Sequence, residues 1–202
     1  AANDTKRFVP SNILKDFSVD LIAPSISKDV ALTLYNTLNS NMTDKTNMLF
    51  CEWQSLMHLS VEDNGKSNDI EKRRKDLSLI FNDDINDTNS EYMALYALQT
   101  TYAIIVKLIA CKVIDRLDYN DLTKNYYDLS NITSNEMQTF FEKMEDGYSY
   151  RSSNINNFLE GDFFSWYSDQ KQWNKEFWQE IIKIVKCIDQ YSSFSFNVYY
   201  EP

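Results

Sequence analysis

From Tyr92 to Leu117 the chain reads YMALYALQTTYAIIVKLIACKVIDRL, its longest apolar run. A run of this length and composition predicts one long helix, about 39 Å at 1.5 Å per residue. About twenty apolar residues can also span a membrane. Here Lys107 and Lys112 interrupt the run, and Gln99, Thr100 and Thr101 precede them. A lysine at the centre of a bilayer costs about 2.5–3.5 kcal/mol. The neighbouring segments are amphipathic and need a buried partner. The expectation is therefore a core helix with no membrane partner, apolar nearly all round as the middle of a large bundle requires.

The flanking segments carry helical spacing. Asn12–Ile22 predicts a short helix closed by Pro24. Ser25 or Ser27 caps a helix reaching about Ser40, with Val30, Leu32, Leu34, Tyr35 and Leu38 recurring every three or four residues. Thr43–Asp44 opens another, with Met48, Leu49, Phe50, Trp53, Leu56, Met57 and Leu59 as its inner stripe. Asp63–Gly65 reads as a turn, and Asn68 opens a charged helix. Residues 82–90 form a polar linker. Within it Asp87 and Thr88 are candidate caps, and Glu91 is spaced from Thr88 for a capping box. That extends the central helix to about 88–117.

Residues 118–133 read as a second linker. Ser134 opens a short helix through Met137, Phe140, Phe141 and Met144, ending at Gly147. Trp173–Tyr191 predicts an amphipathic helix facing inward with Phe177, Trp178, Ile181, Ile182, Ile184, Val185 and Ile188. Phe194–Tyr200 alternates as one short terminal strand or an extended arm would. The fold expectation is all-α: an irregular helical bundle around the long helix, with residues 1–202 a single helical domain. Only three glycines and three prolines occur. That scarcity argues against turn-rich sandwiches and doubly wound sheets.

The formal net charge is −10, the opposite of what phosphate contacts require. The basic run at Glu71–Lys75 reads as a solvated helix face. Cys51, Cys111 and Cys187 are distant in sequence, odd in number and set in apolar helical contexts. They read as buried free thiols in a reducing, cytoplasmic setting. No apolar segment follows a basic start, so no secretory signal is read. The start at Ala1–Ala2–Asn3, without Met, suggests a fragment of a longer protein.

Catalytic patterns are missing. Gly65, Gly147 and Gly161 lie too far apart for a phosphate-binding loop. His58 is the single histidine. It reads as a hydrogen-bonded structural residue on an apolar helix face rather than part of a triad or metal site. Glu52–Gln54 and Glu71–Arg73 lack the Glu-x-Lys order of a metal-dependent nuclease. Glu160–Gly161–Asp162, followed by Trp166 and Tyr167, reads as a helix–loop junction or, less simply, a ligand site. Lys107 reads as a lysine that snorkels to the surface or pairs with a carboxylate. A small helical enzyme with a pocket near Glu160 or Lys107 is a further reading. No catalytic, cofactor-binding or metal residue is assigned.

Three stretches carry a resemblance. Tyr92–Ala110 is similar to the ALHTYYALLIKLLA helix of large bacterial and archaeal adenine-N6 DNA methyltransferases. Phe158–Tyr167 with Trp173–Asn174 resembles their FIEGDFFSWYL…WN segment, and Leu49–Trp53 resembles their LFxEW helix. The similarity spans about residues 46–191, in order, and the second motif is fairly specific. Thr100 stands where the family helix has His. The family's GEYYTP entry to the catalytic domain is absent. So are its glycine-rich methyl-donor motif and its Asn/Asp-Pro-Pro-Tyr motif.

The resemblance implies a non-catalytic helical region just upstream of the methyltransferase domain in a restriction–modification enzyme, type IIG-like, with or without a fused endonuclease. The parent would transfer a methyl group from S-adenosylmethionine to adenine N6 in DNA, with the base flipped out. This region would hold the catalytic and DNA-recognition parts in register. The cofactor would sit in the missing downstream domain, and none in this chain. Its partners would be that domain and, in the full-length protein, DNA; the acidic fragment itself would bind DNA weakly or not at all. The family-motif positions are Trp53, Tyr102, Lys107, Glu160, Gly161, Asp162 and Trp166, with structural roles. The competing expectation is a free-standing helical protein–protein interaction domain, using the aromatic tail Phe194–Tyr200.

Overall fold

The computed structural model describes residues 6–61, 67–117, 129–147 and 163–191. Among them are seven α-helices, one 3-10 turn and no strand, so the fold is all-α. The expected turn at Asp63–Gly65, most of the 118–133 linker, the Glu160–Asp162 segment and the terminal strand lie outside the described residues. The described chain ends at Tyr191, which forms an isolated parallel bridge with Lys6.

Local chemistry sets each helix start. Helix α1 (Pro10–Phe17) begins on a proline, whose fixed φ and missing N–H suit the first helical position. It stops before the expected Ile22 because Ser18 is extended and the Asp20 carboxylate accepts from the N–H groups of Ile22 and Ala23, both at 2.8 Å. Helix α2 (Ile26–Ser40) is capped by Ser25, whose Oγ accepts from Lys28 N at 3.1 Å. Ser27 instead donates from inside the core to the Phe17 carbonyl, 2.8 Å away.

Helix α3 (Asp44–Val61) turns Thr46, Phe50 and Trp53 inward, with Met57 half-buried on the same line. Met48 and Leu56, expected inside, are 53% and 51% exposed. The spacing 46, 50, 53, 57 places them on the other side of the helix. Helix α4 (Ser67–Phe81) buries Leu77, Ile80 and Phe81 and closes at Asn82, whose φ of 50° is in the left-handed region that asparagine tolerates. The linker that follows is less polar in effect than it looks, because it buries Ile85.

Helix α5 (Thr88–Leu117) has thirty residues. Its cap is Asp87, whose Oδ1 accepts from Asn89 N at 2.7 Å and Ser90 N at 3.0 Å. Thr88 lies inside the helix and Glu91 is engaged elsewhere, so the expected capping box does not form. A capping box does form one helix later. Helix α6 (Ser134–Glu145) is entered through Thr133 and Glu136, which bond each other's backbone N–H, and Gly147 at φ 73° follows its end. The 3-10 turn Trp166–Ser168 leads to helix α7 (Lys175–Asp189), capped by Asn174 Oδ1 on Phe177 N at 2.8 Å.

The buried residues form one connected core from Phe17 to Tyr191. Helix α2 is its hub: Val30, Ala31 and Leu34 are sealed, and it packs on α1, α4, α5 and α7. The long helix α5 lies against α2 rather than being enclosed. By length and composition α5 could cross a membrane. Its inner side is buried, but Tyr102 is 41% and Val106 57% exposed. A bundle of short helices is too small to surround one of this length.

Candidate functional site

Two buried clusters sit along α5. The first gathers segments distant in sequence. Tyr96 stacks with Trp166 at 6.0 Å and tilts against Trp53 at 5.0 Å, Phe50 at 5.3 Å and Phe164 at 5.7 Å between ring centroids. Their polar atoms are all matched. Trp166 Nε1 donates to Thr100 Oγ1 at 3.0 Å, Trp53 Nε1 to Gln99 Oε1 at 3.0 Å, and the Tyr96 hydroxyl to the Phe163 carbonyl at 2.5 Å. Buried indoles and phenols need such partners. Helix α5 supplies two of them, Gln99 and Thr100, from its fourth turn.

The second cluster is ionic. Lys107 is 5% exposed, and its Nζ lies 3.0 and 2.7 Å from the two carboxylate oxygens of Glu145. Tyr167 donates a short hydrogen bond to Glu145 Oε1. Snorkelling is excluded, and pairing is what occurs. Five residues on, Lys112 Nζ donates to the Ile188 carbonyl at 2.6 Å and the Tyr191 carbonyl at 3.3 Å. A cation there gives the Ile188 carbonyl, which also accepts from Tyr191 N at 3.0 Å, a second donor and meets the negative end of the α7 dipole. Asp189 Oδ1 lies farther off, at 3.7 Å. Burial lowers the Lys112 pKa and raises that of Asp189, so each disfavours its own charge and the carbonyls are the firmer partners.

Two further charge groups complete the interior. Glu91 accepts from Arg73 Nε at 2.6 Å and Arg74 Nε at 2.7 Å. Half of the basic run read as a solvated face is therefore turned inward to clamp α4 onto the start of α5, and less of it is left for phosphate. Near Tyr191, Asp16 accepts from Lys6 at 2.8 Å and from the Tyr191 hydroxyl at 2.7 Å. Burial opposes the Asp16 charge, but these hydrogen bonds outweigh it and hold its pKa below the usual carboxylate value. Beside it, burial chiefly, then the Asp16 charge, pushes the Cys187 thiol up to about 11.

The family-motif positions thus separate. Trp53 and Trp166 meet in the aromatic cluster, and Lys107 anchors the ionic one. Tyr102 is on the outer face of α5, brought to none of them. Glu160, Gly161 and Asp162 lie outside the described residues. His58 is exposed rather than set on an apolar face, and so is Cys51; Cys111 and Cys187 are buried as expected. Among the described residues no three His, Cys, Asp or Glu side chains are grouped to hold a metal ion. The bonds of Lys107 and Tyr167 to Glu145 make a clamp between α5, α6 and the 3-10 turn. Glu91 is read from sequence as a capping residue, not as the acceptor for Arg73 and Arg74, and Glu145 is not singled out at all. For Glu145 the available signal is the pair of lysines in an apolar run, which demand buried acceptors somewhere. Comparison with protein-family models, curated proteins and solved structures finds no match to this chain.

Proposed function

We propose that this chain is a non-catalytic helical scaffold of an adenine-N6 DNA methyltransferase of the restriction–modification type, acting in the cytoplasm. It supports the catalytic and DNA-recognition parts of a longer polypeptide. One observation supports this reading: the three stretches that carry the resemblance, Leu49–Trp53, Tyr92–Ala110 and the end of Phe158–Tyr167, converge on a single cluster, with Phe50 and Trp53, Tyr96 and Thr100, and Trp166 in mutual contact. Segments that must fit one another explain why motifs so far apart in sequence would travel together. Within that cluster Thr100 Oγ1 accepts the Trp166 indole N–H at 3.0 Å. S-adenosylmethionine and the target adenine are handled elsewhere in the polypeptide.

The test is calorimetric titration of S-adenosylmethionine into this chain and into the product of its complete reading frame, with adenine-N6 methylation of DNA assayed alongside. The chain alone is expected to give no heat of binding and no methylation, and the longer product to give both. Binding by the chain alone, or a longer product that neither binds the methyl donor nor modifies DNA, overturns the reading.

A further inference from the structure

The end of α7 is covered by a segment that is hardly buried itself. Cys187, Ile188 and Tyr191 are all buried. Against them lie residues 6–9, of which Lys6 and Phe8 are half-buried and Arg7 and Val9 exposed. Backbone, ring and charge each hold this segment down. Lys6 N donates to the Gln190 carbonyl at 2.8 Å, and the Phe8 ring meets Tyr191 edge-on at 5.6 Å between centroids. Lys6 Nζ reaches the two Asp16 carboxylate oxygens at 3.0 and 2.8 Å. Val9 precedes Pro10, the first residue of α1, and is extended, as a residue before proline prefers to be. The segment therefore does not wind on from α1. It stays a separate strap with its pivot at Val9, steadied where Asn12 Nδ2 donates to the Arg7 carbonyl at 2.8 Å.

We propose that residues 6–9 are a strap that lifts off the end of α7 while the helices stay folded, with Asp16 as the catch that holds it shut. Lifting the strap strands no charge. The Lys6 N–H and ammonium and the Gln190 carbonyl pass to water, which replaces such partners at little net cost. Asp16 keeps the Tyr191 hydroxyl, 2.7 Å away, so its carboxylate is not left bare. The Ile188 and Tyr191 carbonyls keep Lys112 from the side of α5, so α7 holds its place. Opening the bundle elsewhere abandons a buried ion or a sealed side chain, as at Lys107 or Ile184. A segment with few buried groups and one bridging backbone bond is the kind that opens without the rest of the chain. Cys187 reports the motion, because it lies beside both Asp16 and Lys6. Cys111, buried on α5, is the comparison thiol.

The experiment treats the 202-residue chain with iodoacetamide and follows each of its three thiols by peptide mass spectrometry. Exposed Cys51 sets the unhindered rate, and buried Cys111 the rate through global unfolding. Cys187 is expected to react about tenfold faster than Cys111 or more. Its rate should stay flat in low urea while that of Cys111 climbs, because a local opening exposes little new surface. Lys6→Met with Phe8→Ala removes the charge and the ring of the strap. It should speed Cys187 by roughly a further tenfold and leave Cys111 unchanged. The strap is overturned if Cys187 and Cys111 react at one rate and climb together in urea, or if Cys187 is indifferent to the double variant. Should the double variant speed both thiols, Lys6→Met alone decides. A faster Cys187 with Cys111 unchanged then supports the strap, and any other result overturns it.

Discussion

The two halves of the inner side of α5 are held by different physics. Around Tyr96 the contacts are aromatic faces and neutral hydrogen bonds, with Trp166 on Thr100 and Trp53 on Gln99. Around Lys107 and Lys112 they are full charges removed from water, met by Glu145 and by the end of α7. Neutral pairs gain modestly from folding, and their loss is limited to one desolvated group. Buried ions balance a large desolvation cost against an equally large attraction, so they are intolerant of losing one partner. The aromatic half therefore supplies affinity between segments. The ionic half fixes which turn of α5 meets α6 and α7, because only one register brings an ammonium onto a carboxylate and a second onto a helix end.

The sharpest way to break this contrast is at Lys107. Lys107→Met leaves the Glu145 carboxylate buried with Tyr167 as its remaining described partner, and should cost about 3–5 kcal/mol. Urea melts would show it as a fall in midpoint at unchanged slope. Adding Glu145→Leu and Tyr167→Phe removes the stranded groups, and most of the loss should return. If the triple variant stays as unstable as the single one, the pair contributes through packing and the contrast with the aromatic half disappears.

The matching change in the aromatic half is Thr100→Val, which keeps the shape and removes the acceptor of the Trp166 indole. One orphaned buried N–H costs about 1–3 kcal/mol, so the midpoint should fall by less than for Lys107→Met. Indole fluorescence should shift as the hydrogen bond is lost. A loss equal to that of Lys107→Met would mean that Thr100 organises more than one bond.

Most helix positions were legible because caps and apolar spacing are local. Ser25, Asn174 and the 134–147 helix follow from their own few residues. What failed was non-local. The run Tyr92–Leu117 is apolar nearly all round, so its composition could not say which side is enclosed; that depends on how few helices surround it. Glu91 has the spacing of a capping residue, but Arg73 and Arg74 on another helix take it. Met48, Leu56 and Cys51 are apolar and helical yet face outward, because Phe50 and Trp53 occupy the inner side. Of the two clusters, the aromatic one was foreshadowed by motif residues Trp53 and Trp166. The ionic one was visible only as an unanswered lysine, since nothing in the sequence singles out Glu145 among the many carboxylates.

The smallest expected effect probes the ionic half through pH. Cys187 is buried on α7 and faces Asp16, Lys6 and Tyr191. Its thiol titrates at about 11 against an unfolded value of 9.0. Between those values the folded chain holds a proton that the unfolded chain has released. Stability present below pH 9 is therefore lost as pH rises towards 11. Tyr191, raised by burial first and by its bond to Asp16, acts in the same direction at higher pH. Lys112, lowered by burial, acts oppositely, gaining stability as pH approaches its unfolded value. Comparing wild type with Cys187→Ala cancels the Lys112 contribution and all of the Tyr191 one except the part that the Cys187 charge adds, the last of its causes. The stability difference between them should shrink by about 1 kcal/mol from pH 9 to pH 10. A difference independent of pH would mean that the thiol ionises as freely in the folded chain as in the unfolded one. The end of α7 would then be open to water, and Lys112 would be a solvated lysine rather than a buried clamp.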